Sequence, residues 1–547
     1  MPDPTPQQPP APRWQVPGAR LFRSGRPLPL WMIFPLIFAA LYLAHWSLLS
    51  LPYYWDEAGY YIPAAWDFFR TGSLIPISTL TNAHPPLPSV YLALWWWASG
   101  FTPEVTREAV LIVAAFGLTA VWRLSLLVTR SAPAAFATLL LTALYPVWFA
   151  QSTLAHADIF AAACTLWALV YALPQPTPGQ PSRIWPAAIW FSLAVLAKET
   201  ALATPLLLVL ISLLEALRTS GPARRRSFTN VAWYLACILP LALWYAYHRA
   251  KTGFLFGNPE FLRYNATSTL TPLRILAAFG HRILHLTGHM NLFVPVLCLL
   301  AALMLDPILA RDGQPRPGIP RQTLIRIGIL ILGNALAFSL LGGALLTRYL
   351  LPVYPLVLVI CVSVFRTRVR WWPALVALSA AAFIAALFLA PPYGFAPEDN
   401  LTYARVIRLH QAAIAELTKN YPGATVLSAW PATDELTKPE LGYVTTPFTV
   451  YRLEDFTTPQ ILRAQQDPEG YSAALVFSTK EDPPPLPFHL NSASMEEQYF
   501  GLHHDLGPEE IAARLQGQIV FKQRSGLDWV AVIRFRRSVE ARLTTDH

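Results

Sequence analysis

A chain that carries run after run of about 20 apolar residues has few folds open to it, because each run is long enough to cross a bilayer and only a helix satisfies its own backbone there. Such runs recur near residues 31–51, 108–128, 133–150, 159–173, 184–197, 200–217, 228–248, 290–305, 324–341, 350–365 and 371–390. The predicted fold is an α-helical polytopic membrane protein of about eleven transmembrane helices. Composition agrees, with 54% hydrophobic and only 13% charged residues. The formal charge of +9 comes largely from Arg in short segments between apolar runs, which is the pattern of cytoplasmic membrane flanks, so no nucleic-acid partner is expected. The four cysteines, Cys164, Cys237, Cys298 and Cys361, each fall in a different apolar run and read as packing residues.

Orientation follows from the positive-inside rule. The segment HPPLPSVYLALWWWASGF, which starts at His84, has a short, Trp-rich apolar part, and it reads as a helix lying in the interface rather than crossing it. With eleven spans and the N-terminus inside, Arg224–Arg226, the set Arg311, Arg316 and Arg321, and the set Arg366, Arg368 and Arg370 all fall in the cytoplasm. Counting residues 87–101 as a further span would export all three. The same test makes 184–217 two short helices that meet at Lys198 and Glu199 on the outer side. The first run follows Arg13, Arg20, Arg23 and Arg26, as expected of an uncleaved first span.

Three parts result: a cytoplasmic segment 1–30, a transmembrane module 31–390 with outer loops 52–107 and 249–289, and a soluble extracytoplasmic α/β domain 391–547. In the last part, NLTYARVIRLHQAAIAELTKNYPG predicts a helix with Gly423 as its stop, and ATVLSAW, AALVFS and WVAVIRF predict strands. In the first outer loop, LPYYWDEAGYYIPAAWDFFRTG predicts an amphipathic helix kinked at Pro63 and ended by Gly72.

On this topology the charged residues of the outer face come from distant parts of the chain. They are Asp56 and Glu57, His84, Arg107, Asp158, Lys198 and Glu199, and Arg348 with its neighbour Tyr349. Any one alone reads equally as a solvated loop end or a snorkelling anchor, but ionisable groups at membrane depth are costly and tend to be functional. Carboxylates with cations at a lipid boundary suit transfer from a lipid-linked phosphate donor: a carboxylate takes the proton of an acceptor hydroxyl, while Lys and Arg compensate the phosphate leaving group. Asp56 is the candidate base. Glu57 would point about 100° away on a helix and so orient the acceptor or the backbone.

The motifs YYWDEAGYY, HPPLP, AHAD, LAKET and RYLLPVYP together resemble those of the polytopic GT-C glycosyltransferases, in particular the protein O-mannosyltransferase and aminoarabinose transferase superfamily. The resemblance spans roughly residues 30–365. It implies a sugar donor carried on a polyprenyl phosphate, transfer with inversion, and a catalytic acidic residue in the first outer loop, which maps onto Asp56 with Glu57 completing the pair. It also implies substrate contacts at His84 and Asp158, and donor-phosphate contacts at Lys198 and Arg348.

His281, His285 and His289 recur every four residues. Residues at i and i+4 face the same way on a helix, so a divalent metal is a candidate ligand, against the plainer reading of an interfacial helix with half-buried His. No cofactor is otherwise indicated. The expected partners are the lipid-phosphate sugar, membrane lipids and an acceptor that is a protein, a lipid or a glycan; a bacterial inner membrane is the expected location. A transporter or flippase is the alternative, which would place charges or broken helices at mid-membrane with repeat symmetry. Here the charges gather at one face and no repeat is visible.

Overall fold

The computed structural model describes residues 29–173, 184–257, 259, 270–310, 313–341, 345–479 and 504–535. The basic N-terminal residues up to Arg26, Arg311, and part of the 249–289 loop lie outside them. Every expected apolar run holds helix, but not every helix is of spanning length. Leu30–Leu48, Pro103–Thr129, Glu199–Arg218, Gly221–Thr252 and Arg321–Leu340 are long and apolar enough to cross a membrane. Ala132–Leu144, Ala157–Ala172, Trp185–Ala197 and Trp372–Phe388 are apolar but shorter. Length and composition therefore support five spanning helices among the described residues, or six with one bent pair, where eleven were expected.

Three local outcomes refine the sequence reading. The helix expected to begin at 108 starts at Pro103, because Thr102 caps it by accepting from the Val105 N–H and Pro103 suits the first turn; this draws Arg107 out of the loop and into the helix. The chain breaks at Lys198 as expected, between Trp185–Ala197 and a 3₁₀ turn at Glu199–Leu202. The span expected at 290–305 is an 11-residue helix, Phe293–Leu303, which meets Pro272–Asn291 at 98°. The Leu87–Ser99 helix has 13 residues, about 20 Å long against a hydrocarbon core of about 30 Å, which suits an interfacial position.

The first-loop helix Ile62–Thr71 ends at Gly72 in the left-handed conformation, as its sequence predicts. Pro63 does not kink it. A π-turn, Glu57–Tyr61, precedes the helix and places Pro63 in its first turn, where no N–H is needed.

Beyond residue 400 the described residues form a five-stranded mixed sheet, with β1 Thr425–Ala429, β2 Thr449–Leu453, β3 Ala473–Phe477, β4 Gln518–Ser525 and β5 Asp528–Arg534 in the order β2-β1-β3-β5-β4. β1 pairs in parallel with β2 and β3, and β5 pairs antiparallel with β3 and β4. The helix Thr402–Asn420 buries Leu409, Ala413, Ile414 and Leu417 in the core of this sheet. It stops before Gly423, because Tyr421 precedes Pro422 and a residue before proline is disfavoured in helical conformation.

This unit is docked firmly on the helices. Leu48, Leu51, Tyr54, Phe149 and Leu154 share one buried cluster with Tyr403, Ala404, Val406 and Ile407. The Tyr53 N–H donates to the Leu441 carbonyl at 3.3 Å, and the Tyr443 hydroxyl to the Tyr53 carbonyl at 3.0 Å. Trp430 lies edge-on to Trp55 at 4.9 Å and so close to Gly59 that a Cβ there would meet its ring at 2.7 Å. Gly59→Ala is therefore expected to push Trp430 aside and lower the unfolding free energy by about 1–3 kcal/mol, the usual cost of overpacking. A melt of the purified protein checks this; an unchanged melt would mean that the indole swings away freely.

Candidate functional site

The acidic pair of the first loop divides into two unlike environments. Glu57 is fully buried: one carboxylate oxygen accepts from the Ala155 N–H at 2.6 Å, the other from the Tyr54 N–H at 2.9 Å, and Arg107 donates to each at 3.2 Å. Arg107, buried as completely, spends its remaining N–H groups on the carbonyls of Leu51 at 3.0 Å, Pro52 at 2.6 Å and Thr153 at 2.7 Å. The two residues close into a clamp that ties the first loop to the Thr153–Ala155 turn. Of the two roles the sequence suggests for Glu57, orienting the acceptor or the backbone, the geometry is that of the second, and neither Glu57 nor Arg107 has surface or hydrogen-bonding capacity left to touch a substrate.

Asp56 faces the other way, with 35% of its side chain exposed. Its aim is set by Trp55, a bulky residue held at a φ of 47°, in the left-handed region that such residues avoid. Arg348 donates to Asp56 through one terminal nitrogen and to Glu398 through the other, while its Nε lies 3.2 Å from Asp158. Asp158, in the first turn of Ala157–Ala172, also receives the Lys198 ammonium on both oxygens at 2.7 and 2.8 Å. Lys198 sits 4.4 Å above the Tyr349 ring, a cation–π contact that fixes the ammonium on its inner side. Three separate parts of the chain thus meet Arg348, and a fourth, Lys198, joins them through Asp158.

Lys198, Arg348, Asp158 and Tyr349 line a small cavity together with Ala161, Thr165, Thr204 and Asn334. His84 and Glu199, paired at 3.0 Å, form a neighbouring couple with the His84 ring stacked on Tyr61. They do not line the cavity. His156, also missed by sequence reasoning, is buried near these cations; burial and the charges of Arg348, Lys198 and Arg107 hold its imidazole well below its usual range and so neutral.

Sequence reasoning missed Glu398 and Asp399, assigning PEDN to the polar tail. Asp399 is bound by Thr347 and by His289 Nε2 at 3.0 Å. The Glu398 carboxyl is pushed up to about 8, first by burial and then by the nearby Asp56, Asp399 and Asp158 carboxylates, against the pull of Arg348.

The three-His metal reading is also corrected. The helix ends at Thr287, and His289 follows on a separate turn before Met290 at a φ of 48°. Both His289 nitrogens are taken, by Asp399 and by the Tyr393 hydroxyl at 3.1 Å. Among the described residues no three His, Cys, Asp or Glu side chains gather as a metal site. The residues present do not fit a divalent ion, and no step below runs through one.

The chain matches no protein-family model and no curated protein sequence. Among solved structures it is similar to ArnT from Cupriavidus metallidurans bound to undecaprenyl phosphate, with a TM-score of 0.54 and 15% identity over 91% of this chain and 97% of ArnT. The apo form of ArnT gives a TM-score of 0.52 and 14% identity over the same shares. An oligosaccharyltransferase from Archaeoglobus fulgidus gives 0.42 at 13% identity over 82% of this chain and 67% of the other, too distant to carry an argument. The likeness to ArnT, extending over nearly the whole of both chains, shows the fold: a polytopic GT-C architecture with a C-terminal α/β unit.

Proposed function

We propose that the chain is a membrane glycosyltransferase that moves a sugar from a polyprenyl-phosphate donor to an acceptor hydroxyl on the extracytoplasmic face. The observation that carries this reading is the convergence of buried Lys198 and Arg348 on Asp158 in the wall of one small cavity, with part-exposed Asp56 bound to the same Arg348. ArnT, of the same fold, has been captured with undecaprenyl phosphate.

In this mechanism Asp56 accepts the acceptor hydroxyl's proton as the oxygen attacks the anomeric carbon. The bond from that carbon to the phosphate oxygen breaks with inversion, and its electron pair leaves on the phosphate. Lys198 and Arg348 stabilise the charge that develops there; being already in place and buried, they need little reorganisation. Asp158 holds both cations in position. No specific observation favours a transporter.

The test is to supply the purified protein with polyprenyl-phosphate sugars, guided by mass spectrometry of any that co-purify, and to follow release of the free lipid phosphate. Failure to bind lipid phosphate at all would sink the reading. Lys198→Met is expected to weaken undecaprenyl phosphate binding by roughly 10- to 100-fold, the worth of one charged hydrogen bond. Binding titrations in detergent check this, and undiminished affinity would remove Lys198 from the phosphate site.

A further inference from the structure

The Arg348 fork carries more negative charge than its cations balance. Among the described residues three carboxylates, Asp56, Asp158 and Glu398, meet two cations, Arg348 and Lys198, while Asp399, next to Glu398, is bound by His289 and Thr347. A buried site with a surplus carboxylate is relieved when one of them holds a proton. Glu398 is the most enclosed of those bound to Arg348 alone: its side chain is 5% exposed, against 35% for that of Asp56, and Asp158 has Lys198 as well. Facing it are Arg348 from the Thr347–Leu350 turn, Asp56 and the buried Tyr54 from the first loop, Asp158 from its helix and Asp399 beside it, with Gln151 at its backbone carbonyl.

We propose that Glu398 is a positioning residue for Arg348: as the neutral acid it orients the guanidinium, leaving its charge to be shared between Asp56 and an incoming lipid phosphate. This rests on the donor-phosphate reading above. Neutral Glu398 accepts from Arg348 through its carbonyl oxygen without competing as an anion. Once ionised, it becomes a rival to the phosphate for the same cation. The direction of its titration, upward to about 8, puts the change within reach of a binding assay. The α/β-side segment 397–400 thereby takes part in the transmembrane site. Asn400 pins that segment by donating to the Ala386 carbonyl at 3.1 Å, which gives the carboxyl a fixed approach to Arg348.

The experiment measures undecaprenyl phosphate affinity of the full chain between pH 7.5 and 9.5, a range in which a phosphate monoester, with a second pKa of about 6, keeps constant charge. Affinity is expected to fall about tenfold for each pH unit above the titration, because only the protonated fraction is competent. In Glu398→Gln, which copies the neutral acid, the fall should vanish; a residue that merely braced the fold would shift affinity alike at every pH. A wild-type affinity flat over this range, or a Gln variant with the same slope, overturns the proposal. Difference infrared spectroscopy provides a readout that needs no lipid: a protonated-carboxyl band present at pH 7, lost at high pH and absent from Glu398→Gln supports it, and absence of that band from the wild type overturns it. If the band behaves so but no lipid phosphate binds at any pH, the donor reading fails and the neutral Glu398 stands.

Discussion

Asp56→Asn is expected to lower the rate of sugar transfer by about 10²- to 10⁴-fold, the span that a positioned general base contributes. The substitution is close to isosteric, and an amide oxygen still accepts from Arg348, so the fork keeps its shape. What disappears is the capacity to take a proton. Binding of the lipid phosphate should therefore persist while kcat falls, the sign of an interaction made in the transition state. Steady-state transfer kinetics alongside a binding titration separate the two, and wild-type kcat in this variant would remove Asp56 from the chemistry. Its neighbour offers the contrast, since any defect in Glu57→Gln should appear in stability.

Arg107→Met is expected to destabilise the protein by about 3–5 kcal/mol, because it strands a buried carboxylate. Glu57 would keep two backbone donors, from Tyr54 and Ala155, but lose its counter-ion, while the carbonyls of Leu51, Pro52 and Thr153 would lose their donor. Such a loss is a large share of the roughly 5–15 kcal/mol that holds a typical fold. Adding Glu57→Leu should recover part of it, since the pair's cost lies mainly in leaving one charge alone. Thermal melts of the single and double variants decide: a double variant no more stable than Arg107→Met would show that the carbonyl bonds, and not the carboxylate, carry the clamp.

Much of the fold was legible because membrane helices are written in local composition. The apolar runs, the break at Lys198, the short Leu87–Ser99 helix and the stop at Gly72 all follow from short-range chemistry. Boundaries that hinge on a cap or a break were less so, as at Arg107 and His289. In the sheet, β1, β3 and β5 announced themselves as apolar runs, whereas β2 and β4, at the two edges, carry more polar sequences such as TVYRL and passed unread.

The sequence by itself determined that the chain is a helical membrane protein, and that Asp56, Asp158, Lys198 and Arg348 belong to one group of charged residues. Only the tertiary structure decided what each does. Arg348 reaches Asp56 across 292 positions and Glu398 across 50, and no periodicity encodes such contacts. Asp56 and Glu57 are adjacent and chemically alike, yet one is sealed against Arg107 and the other left half-open beside Arg348. Burial and charge partners separate them, and both are properties of the packed chain that no local pattern of residue types specifies.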